Sequence, residues 1–234
     1  PEENLLYFGD RAHIPYANHN EDEIVAMARY MFEFMQARGV KALLVACNTI
    51  SCILDRCRGA VSCPVFNAVQ AGADAVAGMA VDKVGVISTV FTHNARVYPR
   101  KILSQSPKKL VVLSCGCPDL ARLVEHNLGN PAGMTRVEEE LKKELAPLVE
   151  ERIQCCVLGC THYPLVADSI RRLYPALPLL DPAEEMARSL ARCLEEKGRG
   201  RRSGPGGAQP RRGSPPRAPG EGPHPLQAGR PGVR

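Results

Sequence analysis

Apolar positions recur along the first two hundred residues in two alternating rhythms. Helical spacing is clearest where Ile24, Met27, Ala28, Met31, Phe34 and Met35 follow Asn20, a plausible N-cap with Glu23 three residues on, and Gly39 supplies the stop. Short continuous apolar runs read as buried strands: Leu5–Phe8, Val40–Ala46, Pro64–Asn67, Val84–Ile87, Leu110–Leu113, Ile153–Leu158 and Leu177–Leu180. Between them the pattern predicts helices to about Arg58, from Ala68 to Ala80, from Val90 to about Gln105, near 119–127 and 134–151, on to Tyr174, and from Pro182 to Lys197. Strands alternating with helices predict the α/β class, with parallel sheets and helices on both faces.

A longer period overlies this one. Cys47 and Cys160 each end a buried strand and open a polar turn, 113 residues apart; Pro64-Val-Phe-Asn-Ala68 and Pro178-Leu-Leu-Asp-Pro182 lie beyond them, 114 apart. Two nearly equal offsets indicate an internal duplication into two pseudo-twofold-related units. The expected division is an N-terminal α/β unit over 1–70 completed by 181–197, a second over 71–180, and a tail over 198–234. That tail carries eight Arg against Glu221, with ten Gly and eight Pro among its 37 residues, a composition that predicts disorder. Removing its charge of +7 from the chain's +5 leaves the body at −2, which gives no electrostatic footprint for nucleic acid.

No run approaches the roughly 20 apolar residues of a membrane span, and no charged-then-apolar leader is present, so the chain reads as cytoplasmic. It opens with Pro1, not Met, which suggests that its true start is missing. Ten cysteines without a secretion signal read as reduced thiols. They form no C-x-x-C, only Cys115-x-Cys117 and adjacent Cys155 and Cys156, so no metal site is expected.

Thiols at strand ends sit where α/β proteins place catalytic groups. Two like acid-base groups facing each other across one substrate carbon suit removal of a proton from one face and its return to the other, which is racemisation or epimerisation. His162, two residues beyond Cys160, can relay a thiol proton, while Asn48, Thr49 and Thr161, with backbone amides at the strand ends, could hold a small amino acid. No Schiff-base lysine or phosphate loop is evident, so the reaction is expected to need no cofactor. The enzyme alternative is a Cys–His hydrolase on Cys160 and His162; residues two apart in a turn seldom align for that, and Cys47 would be left without a task.

At these residues the sequence resembles the cofactor-independent aspartate/glutamate racemase superfamily, over about residues 2–196. The resemblance rests on Tyr7 to Asp10 with Pro15 and Tyr16, on Ala46 to Thr49, on Cys117 and Pro118 through Leu123 to Glu125, and on Leu158 to Pro164. It implies interconversion of L- and D-glutamate for peptidoglycan, two pseudo-symmetric α/β domains, and a homodimer. It matches Cys47 and Cys160 to the catalytic thiols, with Glu125 and His162 assisting. Tyr16, Asn48, Thr49, Thr161 and His162 match substrate contacts, and Thr89 and Thr92 are further candidates. Without the resemblance Glu125 reads as a solvated helix residue. Three departures stand out: Ala17 and Ser88 replace usual glycines, and the family's opening strand, ending in Asp-Ser-Gly, has no counterpart, so the first unit is expected to lack its first strand. The rival expectations are a sister racemase acting on aspartate or a hydantoin, and a non-catalytic remnant that only binds.

Overall fold

A computed structural model describes residues 3–16, 19–106 and 109–200, with side chains through residue 196. The first helix, α1 (Glu21–Ala37), starts where the sequence says it should. Asn20 Oδ1 accepts from the Glu23 amide at 3.0 Å and the Glu23 carboxylate accepts from the Asn20 amide at 3.0 Å, a reciprocal cap with acids in the first turn. Its buried stripe is Ile24, Val25, Ala28, Phe32 and Met35, and Gly39 ends it at φ +66°, a backbone angle that favours glycine.

Beyond α1 come β1 (Leu43–Val45), α2 (Asn48–Cys52), α3 (Leu54–Cys57), a 3-10 turn, and β2 (Val65–Asn67), which pairs in parallel with β1. Asn67 caps α4 (Ala68–Ala77) through the Gln70 amide. A second parallel sheet, in the order β4-β3-β5-β6, follows from β3 (Lys83–Ser88), β4 (Val111–Gly116), β5 (Cys155–Gly159) and β6 (Leu179–Leu180). Its connections are α5 (Val90–Asn94), α6 (Val97–Gln105), α7 (Leu120–Asn127), α8 (Pro131–Glu150), a 3-10 turn at Tyr163–Val166 and α9 (Ala167–Leu173); α10 (Pro182–Gly200) closes the described chain. The fold is α/β with parallel sheets, as the rhythm predicted.

The duplication is written in the strand register. Leu43 pairs with Val65 and Leu44 with Phe66; adding the offsets of 113 and 114 to these positions gives Cys156 with Leu179 and Val157 with Leu180, the two pairs that join β5 to β6. The helices behind the second strands, α4 and α10, pack on each other. Gly72 of α4 allows this, since a β-carbon there would meet Tyr98 at 2.9 Å and Pro182 at 3.3 Å.

Several expectations need correction. Leu5–Phe8 is not a strand: Leu5 is 93% and Tyr7 89% exposed, and the segment is anchored by Phe8, whose ring meets Phe34 and Tyr30 edge-on, so aromatic packing on α1 replaces a backbone ladder. The stretch from Val90 to Gln105 is two helices, broken at Arg96 with φ +50°. Pro99 explains the break: it has no amide for the Ala95 carbonyl, so the helix restarts with proline in its first turn. α8 starts earlier than expected because Pro131 takes its first position. The stretch to Arg58 is divided into α2, α3 and the 3-10 turn, and β1 is shorter than the apolar run that marks it. β1 and β2 are the strands of the first unit among the described residues. The predicted tail beyond residue 200 lies outside them.

Candidate functional site

Both cysteines stand at the carboxyl ends of their strands. Cys47 is the N-cap of α2, two residues past β1, and Cys160 follows β5 directly. The approach to Cys160 requires a glycine, since a β-carbon on Gly159 would sit 2.8 Å from the Ile87 carbonyl oxygen of the adjacent strand. The sulfurs are held alike. The amides of Thr49 and Ile50 and the Thr49 hydroxyl donate to Cys47, while the His162 amide and the Thr161 hydroxyl donate to Cys160. These donors favour thiolate, but burial outweighs them: it pushes the Cys47 thiol up and the Cys160 thiol up to about 12. A charge on Cys47 raises Cys160 further, so the two sulfurs are within electrostatic reach of each other.

Between the halves lies a cavity of ≈ 140 Å³. Ala46 and Asn48, the neighbours of Cys47, line one side; Cys160, Thr161 and Pro164 line another, with Asp181 and Met186 among the rest. Such a volume suits a small molecule, not a nucleotide.

Around Cys160 the predicted residues converge. His162 Nδ1 lies 3.7 Å from Cys160 Sγ, and His162 Nε2 lies 3.6 Å from the Glu125 carboxylate. Thiol, imidazole and carboxylate thus form a chain from the buried sulfur to the surface, where Glu125 is half exposed. A 3-10 turn follows His162, and its ring stands beside the sulfur, where the relay reading needs it, although residues two apart in a turn seldom align so.

Around Cys47 the surroundings are hydroxyls. Thr49 Oγ1 is 3.4 Å from Thr89 Oγ1, which donates to Thr92 Oγ1 at 3.1 Å and also accepts from the Thr92 amide, capping α5. This threonine row links α2 to α5. Tyr16 senses the charge of Cys47, and its hydroxyl donates to Asp10 at 3.2 Å; His13 holds the other carboxylate oxygen at 2.7 Å. Burial and Asp10 push the Tyr16 phenol up. Asn48 accepts from Tyr98 at 2.7 Å, so its carbonyl oxygen is committed to the fold. Of the amides expected to face a carboxylate, that of Thr49 donates to the Cys47 sulfur. Ala17 lies outside the described residues.

Sequence reasoning missed Tyr98 and His13, since nothing in spacing distinguishes a buried phenol or a loop imidazole from ordinary packing. All ten cysteines are free thiols. Among the described residues one cluster suits a metal: Cys115, Cys117 and Glu144 bring three donor atoms within 4.8 Å of one another. Glu144 comes from α8, too far along the chain for a spacing motif to reveal.

Residues 1–190 match the family model described as Asp/Glu/Hydantoin racemase. The chain belongs to this family. The expectation of a racemase, an isomerase, stands with it. Over 199 residues the chain is 38% identical to the glutamate racemase of Syntrophus aciditrophicus, covering 83% of this chain and 72% of that one. It is 36% identical over 190 residues to glutamate racemase 3 of Caldanaerobacter subterraneus, covering 80% and 68%. Among solved structures, the glutamate racemase of Francisella tularensis in complex with D-glutamate superposes with a TM-score of 0.74 at 32% identity, over 82% of this chain and 71% of that one. No described helix is long and apolar enough to cross a membrane.

Proposed function

We propose that this racemase interconverts L- and D-glutamate by cofactor-independent proton transfer at the α carbon, with Cys47 and Cys160 as the two acid-base groups. The observation that carries the reading is the pair of thiols at equivalent ends of a duplicated strand pair, with a charge on Cys47 felt at Cys160 and a small cavity lined by Cys160 and by Ala46 and Asn48, the chain neighbours of Cys47. One thiolate takes the Cα proton, the electron pair is delocalised into the substrate carboxyl group, and the opposite thiol gives its proton to the other face. The sulfurs end with their protonation states exchanged, so the reverse reaction starts where the forward one stops.

His162 and Glu125 assist Cys160 as a relay, and Asn48, Thr49, Thr161, His162, Thr89, Thr92 and Tyr16 contact substrate, with Ala17 at the same loop. Glutamate is favoured over aspartate or a hydantoin because the relatives at 36% and 38% identity are glutamate racemases. D-glutamate then supplies peptidoglycan, in the cytoplasm, from a homodimer in which units 1–70 with 181–197 and 71–180 flank the cleft. In deuterated water the enzyme should exchange the Cα proton of both enantiomers of glutamate, followed by NMR, and leave aspartate unlabelled. Exchange of aspartate alone would give the role to the sister activity, and exchange of neither would leave a binding remnant.

A further inference from the structure

We propose that Cys115, Cys117 and Glu144 form a binding site for one thiophilic divalent cation of the zinc type, separate from the cleft thiols. Cys115 lies in β4 and Cys117 just past its end, two positions apart, so their side chains leave the extended backbone on the same side. Glu144 comes from the buried stripe of α8 beside Leu141 and Leu145. The Cys115 thiol donates to Glu144 at 3.2 Å, and the three donor atoms lie within 4.8 Å of one another. Ligand atoms around a tetrahedral zinc ion are about 3.5 Å apart, given bond lengths of about 2.3 Å to sulfur and 2.0–2.2 Å to oxygen. Small side-chain rotations close the difference.

A second observation points to a ligand. The Tyr163 hydroxyl is fully buried against Cys117, whose sulfur is a weak hydrogen-bond partner. Glu144 is 8% exposed and its carboxylate faces a weak thiol donor on one oxygen and Lys143 at 3.7 Å on the other. Buried polar groups served this poorly are costly, and a cation bound by the thiolates and carboxylate, with Tyr163 or a water in fourth place, satisfies them together. Binding sends the two thiol protons to solvent. Two thiolates and one carboxylate leave a single negative charge around a divalent ion, which Lys143 opposes.

A disulfide is the poorer fit. Strand neighbours two apart lie about 6.6 Å from Cα to Cα, near the upper limit for a bridge. The backbone there is also pinned, since Cys115 is in register with Ile87 and the Cys117 amide donates to the Ser88 carbonyl at 2.7 Å.

The test is metal titration of the full reduced chain after chelator treatment, using Zn²⁺ for stoichiometry and Cd²⁺ for thiolate charge-transfer absorbance. One ion per chain is expected, bound equally by the parent and by a Cys47→Ser/Cys160→Ser variant. Glu144→Gln should weaken it by about tenfold or more, and Cys115→Ser should abolish it. X-ray absorption of the zinc-loaded parent, which needs no variant to fold, should show two sulfur neighbours with oxygen completing the shell. No bound ion in the parent, loss of binding in the Cys47→Ser/Cys160→Ser variant, or a shell without two sulfurs each overturns the proposal.

Discussion

The two halves share a strand register but not a way of holding a thiol. Cys160 leaves β5, an entirely buried strand flanked on both sides by β3 and β6, and it meets an imidazole backed by a carboxylate. Cys47 leaves β1, a three-residue strand in a two-stranded sheet, and it meets amides and hydroxyls, with the Tyr16–Asp10–His13 chain nearby. One half therefore offers a titratable route from sulfur to solvent, while the other stabilises charge through neutral donors. Equivalent strand ends thus carry thiols with unlike neighbours.

The comparison breaks first at the sulfurs. Cys47→Ser and Cys160→Ser should each lower racemisation by about 10²–10⁴-fold, measured by polarimetry, because each removes one acid-base group from a reaction that needs both. With a substrate analogue that loses a leaving group after one-sided proton removal, the two variants should retain activity toward opposite enantiomers. If either variant racemises as fast as the parent, the two halves do not share the reaction.

The pH profile is the next test. Burial holds Cys160 at about 12 and Cys47 above its ordinary value, so both thiols are protonated in the resting enzyme at neutral pH. A raised thiol pKa means that thiolate is scarce and increases about tenfold for each unit of pH below that value. The value of kcat/KM should therefore climb from pH 7 to pH 9, approaching that slope, with no plateau in between. A profile flat over this range would show that substrate or His162 removes the burial penalty before chemistry.

How much of this was legible in the chain depends on which force carried each feature. Local signals were read well: the Asn20 cap, the stop at Gly39 and the alternation that yields parallel sheets need only near neighbours. The offsets between Cys47 and Cys160 even foretold a register seen only in space. Leu5–Phe8 was misread because an apolar run does not say whether a neighbouring backbone is there to pair with it, and here Phe8 found aromatic rings. His162 was placed by a 3-10 turn that periodicity does not encode. Glu125 and Tyr98 act through partners far along the chain, Glu125 on His162 and Tyr98 on Asn48, and single positions carry no trace of such pairings.

The finest distinction between the halves rests on Glu125, and the effect expected there is small. Its carboxylate is half exposed and stands 3.6 Å from His162, a geometry in which solvent screens most of the attraction. Glu125→Gln should thus leave folding unchanged and lower kcat by about two- to tenfold, with the larger loss for the enantiomer whose proton passes through Cys160. Losses equal for both enantiomers would place Glu125 in general support of the cleft and erase the asymmetry between relay and neutral donors, which the carboxylate at the end of the chain is needed to maintain.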